Sequence, residues 1–264
     1  MNHFEKLLDY KYASLYDFAR PKLPKYVIDL ACKYLPGFPK HIVDLGCGTG
    51  LSAEAWVKNG CELIGVDIRE DMLNEAKRKN LQRASFVLSD AADVDIEQSW
   101  ADVVLCSQSF QWMDQNRLLE AVKRFLKPGG LFFVLRYYLL PIGSYLVEQC
   151  YFDFVQAVNG FVKRNNKTVQ PFDRKTLKLD QEIILRTDAV RFAHSYCFIH
   201  HESFTAERFV AIALSQGKVY NALLHADRQL KADYLRFCEA AETLFHGEEL
   251  KLGISYTLDI AIYE

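Results

Sequence analysis

A glycine-rich loop between a buried strand and a helix is the feature of this sequence that most restricts its fold. The loop, Asp44-Leu-Gly-Cys-Gly-Thr-Gly50, follows the apolar run His41–Leu45 and precedes an amphipathic stretch that starts at Leu51. Gly46 and Gly48 allow a tight turn and let the backbone approach a ligand where a Cβ atom would collide. Backbone N–H groups near the start of the next helix can bind the polar end of that ligand. The loop therefore predicts a ligand-binding strand–helix unit.

Two further acidic residues follow the next two predicted strands. Asp67 ends one of them, where a carboxylate can accept hydrogen bonds from both hydroxyls of a ribose, and Asp90 follows the other. The glycine spacing is G-x-G-x-G, whereas a dinucleotide site has G-x-G-x-x-G. Asp44 precedes the first glycine by two residues, and an acidic side chain there suits a cationic or ammonium-bearing ligand better than a pyrophosphate. The three acids and the loop together indicate a cofactor site more strongly than the loop alone.

Apolar runs alternate with amphipathic stretches between His41 and Tyr138. The predicted strands are His41–Leu45, Glu62–Asp67, Ala84–Ser89, Ala101–Cys106 and Leu131–Tyr138. The predicted helices between them run from about Leu51 to Asn59, from near Arg69, and from Asn116 to Leu126. This order and spacing predict an α/β fold with a Rossmann-like, doubly wound sheet that is mostly parallel.

The flanking segments are less regular. The helices predicted there cover Phe4–Phe18, Leu23–Tyr34, Tyr145–Lys163, a segment capped by Thr205, and Asp227–Phe245. Strands are predicted over Val190–His200 and Gly253–Tyr263, the last of them antiparallel to the sheet. We expect a single domain over residues 1–264. Within it, 1–38 is an N-terminal helical segment over the pocket, 39–140 the cofactor-binding core, 141–190 a helical cap insertion after strand five, and 191–264 the completion of the sheet.

Composition restricts the partners of the protein. A formal net charge of -2 over 264 residues gives no electrostatic signature of nucleic-acid binding. The longest strongly apolar stretch, Leu131–Ile142, is interrupted by Arg136 and is too short to span a bilayer, and no signal peptide is expected. Seven cysteines without a CxxC pair indicate reduced thiols rather than disulfides or a zinc site. We expect a cytoplasmic monomer or homodimer without a metal and without nucleic-acid or membrane partners.

With these motifs the sequence resembles the class I S-adenosylmethionine-dependent methyltransferases. Val43–Gly50 is similar to the first motif of that family, Ser89-Asp90-Ala91 to its adenine-binding segment, and Lys127–Gly130 to the turn before its fifth strand. The resemblance implies S-adenosylmethionine as cofactor, with S-adenosylhomocysteine as its product, and a ribose-binding role for Asp67. The cofactor-binding residues it implies are Asp44, Gly46, Cys47, Gly48, Asp67, Ile68, Asp90, Ala91, Ser107 and Gln108.

Two segments are similar to small-molecule enzymes of the trans-aconitate methyltransferase type. Tyr16–Pro24 resembles a Y-x-x-x-R-P-x-Y-P entry segment, with Leu23 where a tyrosine is commoner. Ser107–Asp114 resembles an S-x-x-F-H-W-F-D run, but Gln111 replaces the histidine, so no catalytic role is carried over for that position. The candidates for the acceptor pocket are Tyr16, Arg20, Trp112, Arg136 and Tyr137.

Each of these candidates also has a structural interpretation. Trp112 could be a packed aromatic residue, and Arg20 could be a solvated surface residue. Arg136 could form a salt bridge with a nearby helix rather than bind an acidic substrate.

The expected function is methyl transfer to a small molecule. The sequence forces no residue into a general-base role and leaves the catalytic residues unassigned, which favours a carboxylate acceptor. Other O, N or C acceptors stay open, as do RNA and protein, although no N/D-P-P-Y/F type segment follows the fourth strand. A nicotinamide-dependent oxidoreductase and a non-catalytic S-adenosylmethionine-binding protein are the alternatives from other classes.

Overall fold

The computed structural model describes residues 7, 10–165, 184 and 187–264. Seven strands form one sheet in the order β3-β2-β1-β4-β5-β7-β6. Their bounds are β1 His41–Leu45, β2 Glu62–Asp67, β3 Ala84–Leu88, β4 Ala101–Ser107, β5 Leu126–Tyr137, β6 Val190–Phe204 and β7 Leu250–Tyr263. Strands β1 to β5 pair in parallel, and β7 pairs antiparallel with β5. The predicted mostly parallel, Rossmann-like sheet with an antiparallel last strand is therefore confirmed.

Nine α-helices lie within the described part of the chain. They are α1 Tyr12–Ala19, α2 Lys25–Tyr34, α3 Leu51–Lys58, α4 Glu70–Arg78, α5 Gln115–Phe125, α6 Tyr145–Arg164, α7 Ala206–Leu214, α8 Gly217–Leu224 and α9 Arg228–Phe245. None of these helices has the length and apolar character needed to cross a membrane. Residues 4–6 and 8–9 of the predicted Phe4–Phe18 helix, and residues 166–183 and 185–186 of the predicted cap insertion, lie outside the described residues.

The chain divides into two compact units. The first, the sheet unit, comprises Lys22–Tyr137, Arg174–Phe198 and Tyr256–Glu264. The second, the helical unit, comprises Met1–Pro21, Tyr138–Asp173 and Ile199–Ser255. Strands β6 and β7 contribute residues to both units.

The core of the sheet unit follows from the apolar runs of the central strands. Val43, Val104 and Phe132 on adjacent strands are fully buried in a single cluster. Helix α5 buries Leu118, Leu119, Val122 and Phe125, the apolar stripe predicted from their helical spacing. Its N-cap, Asp114, accepts hydrogen bonds from the backbone N–H groups of Asn116 and Arg117. Burial of β1, β4 and β5 fixes the ends of these strands, where the candidate site residues lie.

Strand β5 starts five residues earlier than predicted. Ala101 pairs with Leu126 and Val103 with Leu131, so the ladder shifts register over the four residues 127–130. Gly129, with φ +79°, permits this irregularity without the strain that a side chain would cause. The sequence Lys-Pro-Gly-Gly predicts a turn before the strand, whereas the structure places it inside the strand as a bulge.

The helical unit contains α1, α6, α7, α8 and α9. Helix α6 packs on α9 through the stacked rings of Phe154 and Phe237, whose centroids are 4.6 Å apart. Thr205 caps α7 as predicted, because its hydroxyl accepts a hydrogen bond from the N–H of Arg208. Helix α6 matches the helix predicted within residues 141–190, and its role as a cap over an acceptor pocket stays a prediction.

Candidate functional site

The glycine loop is held against the end of β2 by its own backbone. The N–H groups of Gly46 and Cys47 donate to the carbonyl oxygen of Val66 at 2.7 and 3.0 Å. The N–H of Gly48 donates to Oδ2 of Asp67 at 2.8 Å. The φ angles of Gly46, Gly48 and Gly50 are +72°, +54° and +74°, so the loop uses the left-handed region that favours glycine. The first amides of the loop thus fix its shape, rather than being left for a ligand.

Gly46 is required mainly by packing. A Cβ atom on Gly46 would lie 2.4 Å from Cβ of Ser109 and 2.9 Å from Cε of Met113, in the segment that follows β4. The Ser109 hydroxyl also donates to the carbonyl oxygen of Leu45 at 2.6 Å. A Cβ on Gly48 would meet only Cε of Met72, at an ordinary 3.5 Å. Of the three loop glycines, Gly48 is thus the one at which an added Cβ atom would make an ordinary contact rather than a tight one.

Asp44 is fully buried at the end of β1. Its Oδ2 accepts a hydrogen bond from the hydroxyl of Ser52, in the first turn of α3. Its Oδ1 has no hydrogen-bond partner among the described residues. Burial, together with the nearby charge of Asp67, raises the pKa of Asp44 from 3.8 to about 7, although the Ser52 hydrogen bond acts in the opposite direction. Such an oxygen is an acceptor that lacks its donor.

Asp67 connects the loop to the start of α4. Besides the Gly48 hydrogen bond to Oδ2, its Oδ1 accepts one from the N–H of Arg69 at 2.8 Å. The residue is half-buried, and each carboxylate oxygen can accept more than one hydrogen bond. The next side chain, Ile68, is 72% exposed. An exposed apolar side chain beside a half-buried carboxylate is a suitable platform for a nucleoside.

The segment after β3 carries Asp90 and Ala91. Asp90 is exposed, and its Oδ1 accepts a hydrogen bond from the N–H of Ala92 at 2.8 Å. Ala91 is buried and belongs to the apolar core of the sheet unit. Ala91 is therefore packed into the core, while the Asp90 side chain is exposed.

The segment after β4 contains a residue in an unusual conformation. Gln108 has φ +58°, which is uncommon for a residue with a side chain. Its N–H donates to the carbonyl oxygen of Leu135 at 2.8 Å, and its Nε2 donates to the carbonyl oxygen of Tyr137. Nε2 of Gln111 donates to the carbonyl oxygen of Gln108 at 3.0 Å, and Oε1 of Gln111 is buried without a partner in the described chain. These bonds tie the half-buried Ser107–Gln108 segment to β5.

The two aromatic residues of this segment have different environments. Phe110 is fully buried and packs edge-on against Phe132, with ring centroids 5.8 Å apart. Trp112 is 44% exposed. Phe110 is therefore a core residue, whereas Trp112 keeps an open surface that an acceptor could contact.

Arg136 and Tyr137 end β5 and are both engaged with β7. Arg136 forms an ion pair of 3.0 Å with Asp259, whose side chain is almost fully buried. The ring of Tyr137 lies 5.5 Å from that of Tyr256. The salt-bridge interpretation of Arg136 holds, but its partner lies on a strand rather than on a helix.

Tyr16 and Arg20 lie in the helical unit, where Arg20 is buried. Its Nε donates to the hydroxyl of Ser215 at 2.7 Å and an Nη donates to the Ser215 carbonyl oxygen at 2.9 Å. Its guanidinium lies over the ring of Tyr16, 4.4 Å from the centroid. The interpretation of Arg20 as a solvated surface residue is therefore wrong.

The sheet unit brings most of the predicted site residues to one edge. The predicted cofactor-binding residues lie at or just beyond the carboxyl ends of β1, β2, β3 and β4, where α/β sheets bind ligands. Three acceptor candidates lie along the same edge, beyond β4 and at the end of β5: Trp112, Arg136 and Tyr137.

Sequence reasoning missed Ser52, Ser109 and Asp259. The signal for Asp259 was present, since a charged residue interrupts the apolar end of β7. Nothing in the sequence singled out the two serines.

The residues present fit an adenosyl ligand that carries an ammonium group. Asp44 supplies a buried acceptor without a donor, and Asp67 with Ile68 offers polar and apolar contacts. Thr49 adds a buried hydroxyl that has no partner within the described residues.

Residues 43–134 match the family described as "Methyltransferase domain". An uncharacterized methyltransferase of Mycobacterium tuberculosis is 32% identical over 115 residues, which cover 44% of this chain and 46% of that protein. The chain thus matches less than half the length of that curated relative.

Two solved structures share the fold. A putative type II methyltransferase from Anaeromyxobacter dehalogenans superposes with a TM-score of 0.61 at 17% identity, covering 93% of this chain and 97% of that one. Phosphoethanolamine N-methyltransferase 2 of Haemonchus contortus, in complex with S-adenosylmethionine, gives 0.53 at 16% identity, covering 100% of this chain and 60% of that one. The predicted resemblance to class I S-adenosylmethionine-dependent methyltransferases is confirmed over residues 43–134 by the family match and the curated relative, and the two solved structures share the fold. They do not address the trans-aconitate subgroup, which stays a prediction.

Proposed function

We propose that this chain is an S-adenosylmethionine-dependent methyltransferase that acts on a small molecule. The single observation that supports this most is the unpartnered Oδ1 of the buried Asp44 at the start of the glycine loop. A buried carboxylate oxygen without a donor is costly, and a ligand ammonium would satisfy it. The family match over residues 43–134 supports the same conclusion.

Each part of the cofactor would be held by a different strand end. Asp44 would bind the ammonium group of the methionine part beside the glycine loop, and Asp67 would accept hydrogen bonds from the ribose. Ile68, Asp90 and Ala91 would hold the adenine ring. When bound, S-adenosylmethionine supplies a methyl group on a positively charged sulfur, which is already activated for transfer. The chain itself therefore has to orient the acceptor and exclude water, which can lower a barrier by up to ~7–11 kcal/mol in favourable systems.

We propose a small molecule as the methyl acceptor, without naming the compound. Ser107, Gln108 and Trp112 would line the junction between cofactor and acceptor. A carboxylate acceptor stays in the proposal because no side chain of the described sheet edge is placed as a general base. The two arginines predicted to hold it are already bound to Asp259 and Ser215. Because both arginines are engaged within the protein, the acceptor screen covers small di- and tricarboxylates, amines and phenols together. The proposal keeps a cytoplasmic monomer or homodimer, in line with seven free cysteines.

Thermal unfolding with S-adenosylmethionine, S-adenosylhomocysteine, NAD and NADP tests this proposal. A ligand that binds only the native state adds ~2.7 kcal/mol at about 100 times its dissociation constant. We expect stabilisation by both adenosyl compounds and by neither nicotinamide. Stabilisation by NAD alone would mean that the loop binds a dinucleotide, and no stabilisation by any of the four would contradict a functional cofactor site. Retention of bulk RNA in a filter-binding assay would move the acceptor from small molecules to RNA.

A further inference from the structure

Ser52 makes a contact that its own helix does not need. It lies in the first turn of α3 and is buried, with 7% of its surface exposed. Serine in this part of a helix commonly bonds nearby backbone groups. The N-cap position of α3 is Gly50, without a side-chain cap, and the Ser52 hydroxyl donates instead to Oδ2 of Asp44. The Ser52 hydroxyl therefore stabilises the carboxylate of Asp44 rather than the backbone of α3.

The groups around Asp44 otherwise oppose its negative charge. Asp44 is fully buried, and the carboxylate of Asp67 lies close enough to disfavour a second negative charge. The adjacent thiol of Cys47 stays protonated, because burial and the two carboxylates raise its pKa well above the usual value. The neighbouring strands present only uncharged residues to Asp44 in their register, Gly65 on β2 and Leu105 on β4. The hydroxyl of Ser52 is thus the protein donor that favours the ionised form.

We infer that Ser52 is a positioning residue for the amino-acid end of the adenosyl ligand. By donating to Oδ2, it fixes the rotation of the Asp44 carboxyl group, leaves Oδ1 as the acceptor for the ligand ammonium, and favours the ionised over the protonated form of the carboxyl group. The inference rests on the proposed function and adds a residue outside the glycine loop to its cofactor site.

Removal of the hydroxyl has a consequence that depends on both pH and ligand. In Ser52→Ala, Asp44 loses the hydrogen bond that favours its charged form, so protonation persists to higher pH. A protonated Asp44 cannot pair with an ammonium group. S-adenosylhomocysteine, which has that group, should bind more weakly at neutral pH. 5′-Methylthioadenosine has the same nucleoside without the amino acid, and its affinity should not change.

Calorimetric titration of both ligands between pH 6 and 8 tests the inference. For the wild type we expect the affinity for S-adenosylhomocysteine to rise as the pH increases through about 7. For Ser52→Ala we expect the rise to move up by about one pH unit, with a loss of affinity of about fivefold at pH 7 that shrinks to about twofold by pH 8. Ser52→Thr should restore the wild-type profile because it keeps the hydroxyl. Asp44→Asn should bind S-adenosylhomocysteine weakly at every pH.

The possible failures can be distinguished. An unchanged profile in Ser52→Ala, or an equal loss for both ligands, would overturn the inference while leaving the proposed function intact. A wild-type protein that binds neither ligand at any pH would overturn the proposed function, and the inference with it.

Discussion

At the scale of single residues, Asp44 shows how a binding group can oppose stability. In the unfolded chain its carboxyl group has the ordinary pKa of 3.8, and in the folded chain burial raises it to about 7. An acid with a raised pKa binds its proton more tightly in the folded state, so the folded state loses stability as the pH rises from about 4 to 7. A neutral residue there would make the unliganded protein more stable, and the charge is retained because a cationic ligand needs it.

Asp44→Asn is therefore expected to stabilise the unliganded protein at pH 8. The gain in the free energy of unfolding should be roughly 2–4 kcal/mol and should shrink as the pH is lowered towards 4. Urea unfolding at pH 8, 6.5 and 5 measures it, with Asp29→Asn, an exposed carboxylate on α2, as the control. Equal stabilities of variant and wild type at pH 8 would show that Asp44 is not in an environment that opposes its charge.

Asp67→Ala should weaken S-adenosylhomocysteine binding by about tenfold or more, because it removes charge-assisted hydrogen bonds to the ribose. Calorimetry measures the affinity. Asp67 also accepts a hydrogen bond from Gly48, so the thermal stability of the unliganded variant has to be compared in parallel. Asp29→Ala serves as a control that removes a distant negative charge. An unchanged affinity in Asp67→Ala would exclude the ribose assignment.

Gly46→Ala should destabilise the protein by about 3 kcal/mol, because a methyl group at φ +72° would meet Ser109 at 2.4 Å. Gly60→Ala is the matched control. That residue also has a positive φ, +89°, but no atom lies within 4 Å of the added carbon, so only the conformational cost of about 1–2 kcal/mol remains. Urea unfolding of both variants compares them. Similar losses would mean that the Ser109 segment moves aside without cost.

At the scale of elements, the antiparallel pair of β5 and β7 depends on more than backbone hydrogen bonds. Register places Val134 opposite Asp259 and Arg136 opposite Thr257. The Arg136 side chain reaches back to Asp259, which also accepts a hydrogen bond from Ser195 on β6. A charge on β7, between the buried Leu258 and Ile260, thus connects the last three strands of the sheet.

Arg136→Met should cost about 2–4 kcal/mol, because it leaves Asp259 buried without its ion-pair partner. Arg117→Met removes an exposed ion pair with Asp93 and should cost less than ~1 kcal/mol. Chemical denaturation of the two variants gives the comparison. If Arg136→Met keeps full stability but loses affinity for an acidic acceptor, the role of the arginine is to bind the substrate rather than to stabilise the pairing of β5 with β7.

At the scale of the whole molecule, the candidate cofactor site is assembled from segments that are far apart in sequence. Residues 44–52, 67–69, 89–92 and 107–112 meet only because parallel strands place their carboxyl ends along one edge of the sheet. No single segment forms the candidate site, so we expect a bound ligand to contact all four segments.

Hydrogen exchange should report this shared response. We expect S-adenosylhomocysteine to slow amide exchange in peptides from all four segments, in proportion to the fraction of protein bound. Peptides from β3 itself serve as an internal reference, since that strand lies at the edge of the sheet. Protection confined to one segment would show that the ligand does not span the edge.

The sequence predicted the parallel strands closely and the packing around them poorly. Strands β1 and β2 have the predicted bounds because continuous apolar runs between glycine and charged residues leave few alternatives. The early start of β5 was missed because Pro128 and the two glycines after it normally interrupt a strand. The partners of Arg20 and Arg136 could not be predicted, since Ser215 and Asp259 lie more than a hundred residues away and are brought close only by tertiary structure.

The late position of β7 has a consequence for the route by which the chain folds. Strands β1 to β5 all lie within residues 41–137 and are joined by short connections, so their contacts form with little loss of chain entropy. The partner of β5 arrives more than a hundred residues later, when Leu131 meets Ile262. Until then the apolar edge of β5 is a free template that another chain could extend. The slowest step of refolding should therefore be the docking of β7, and high protein concentration should divert the chain to aggregates before that step is complete.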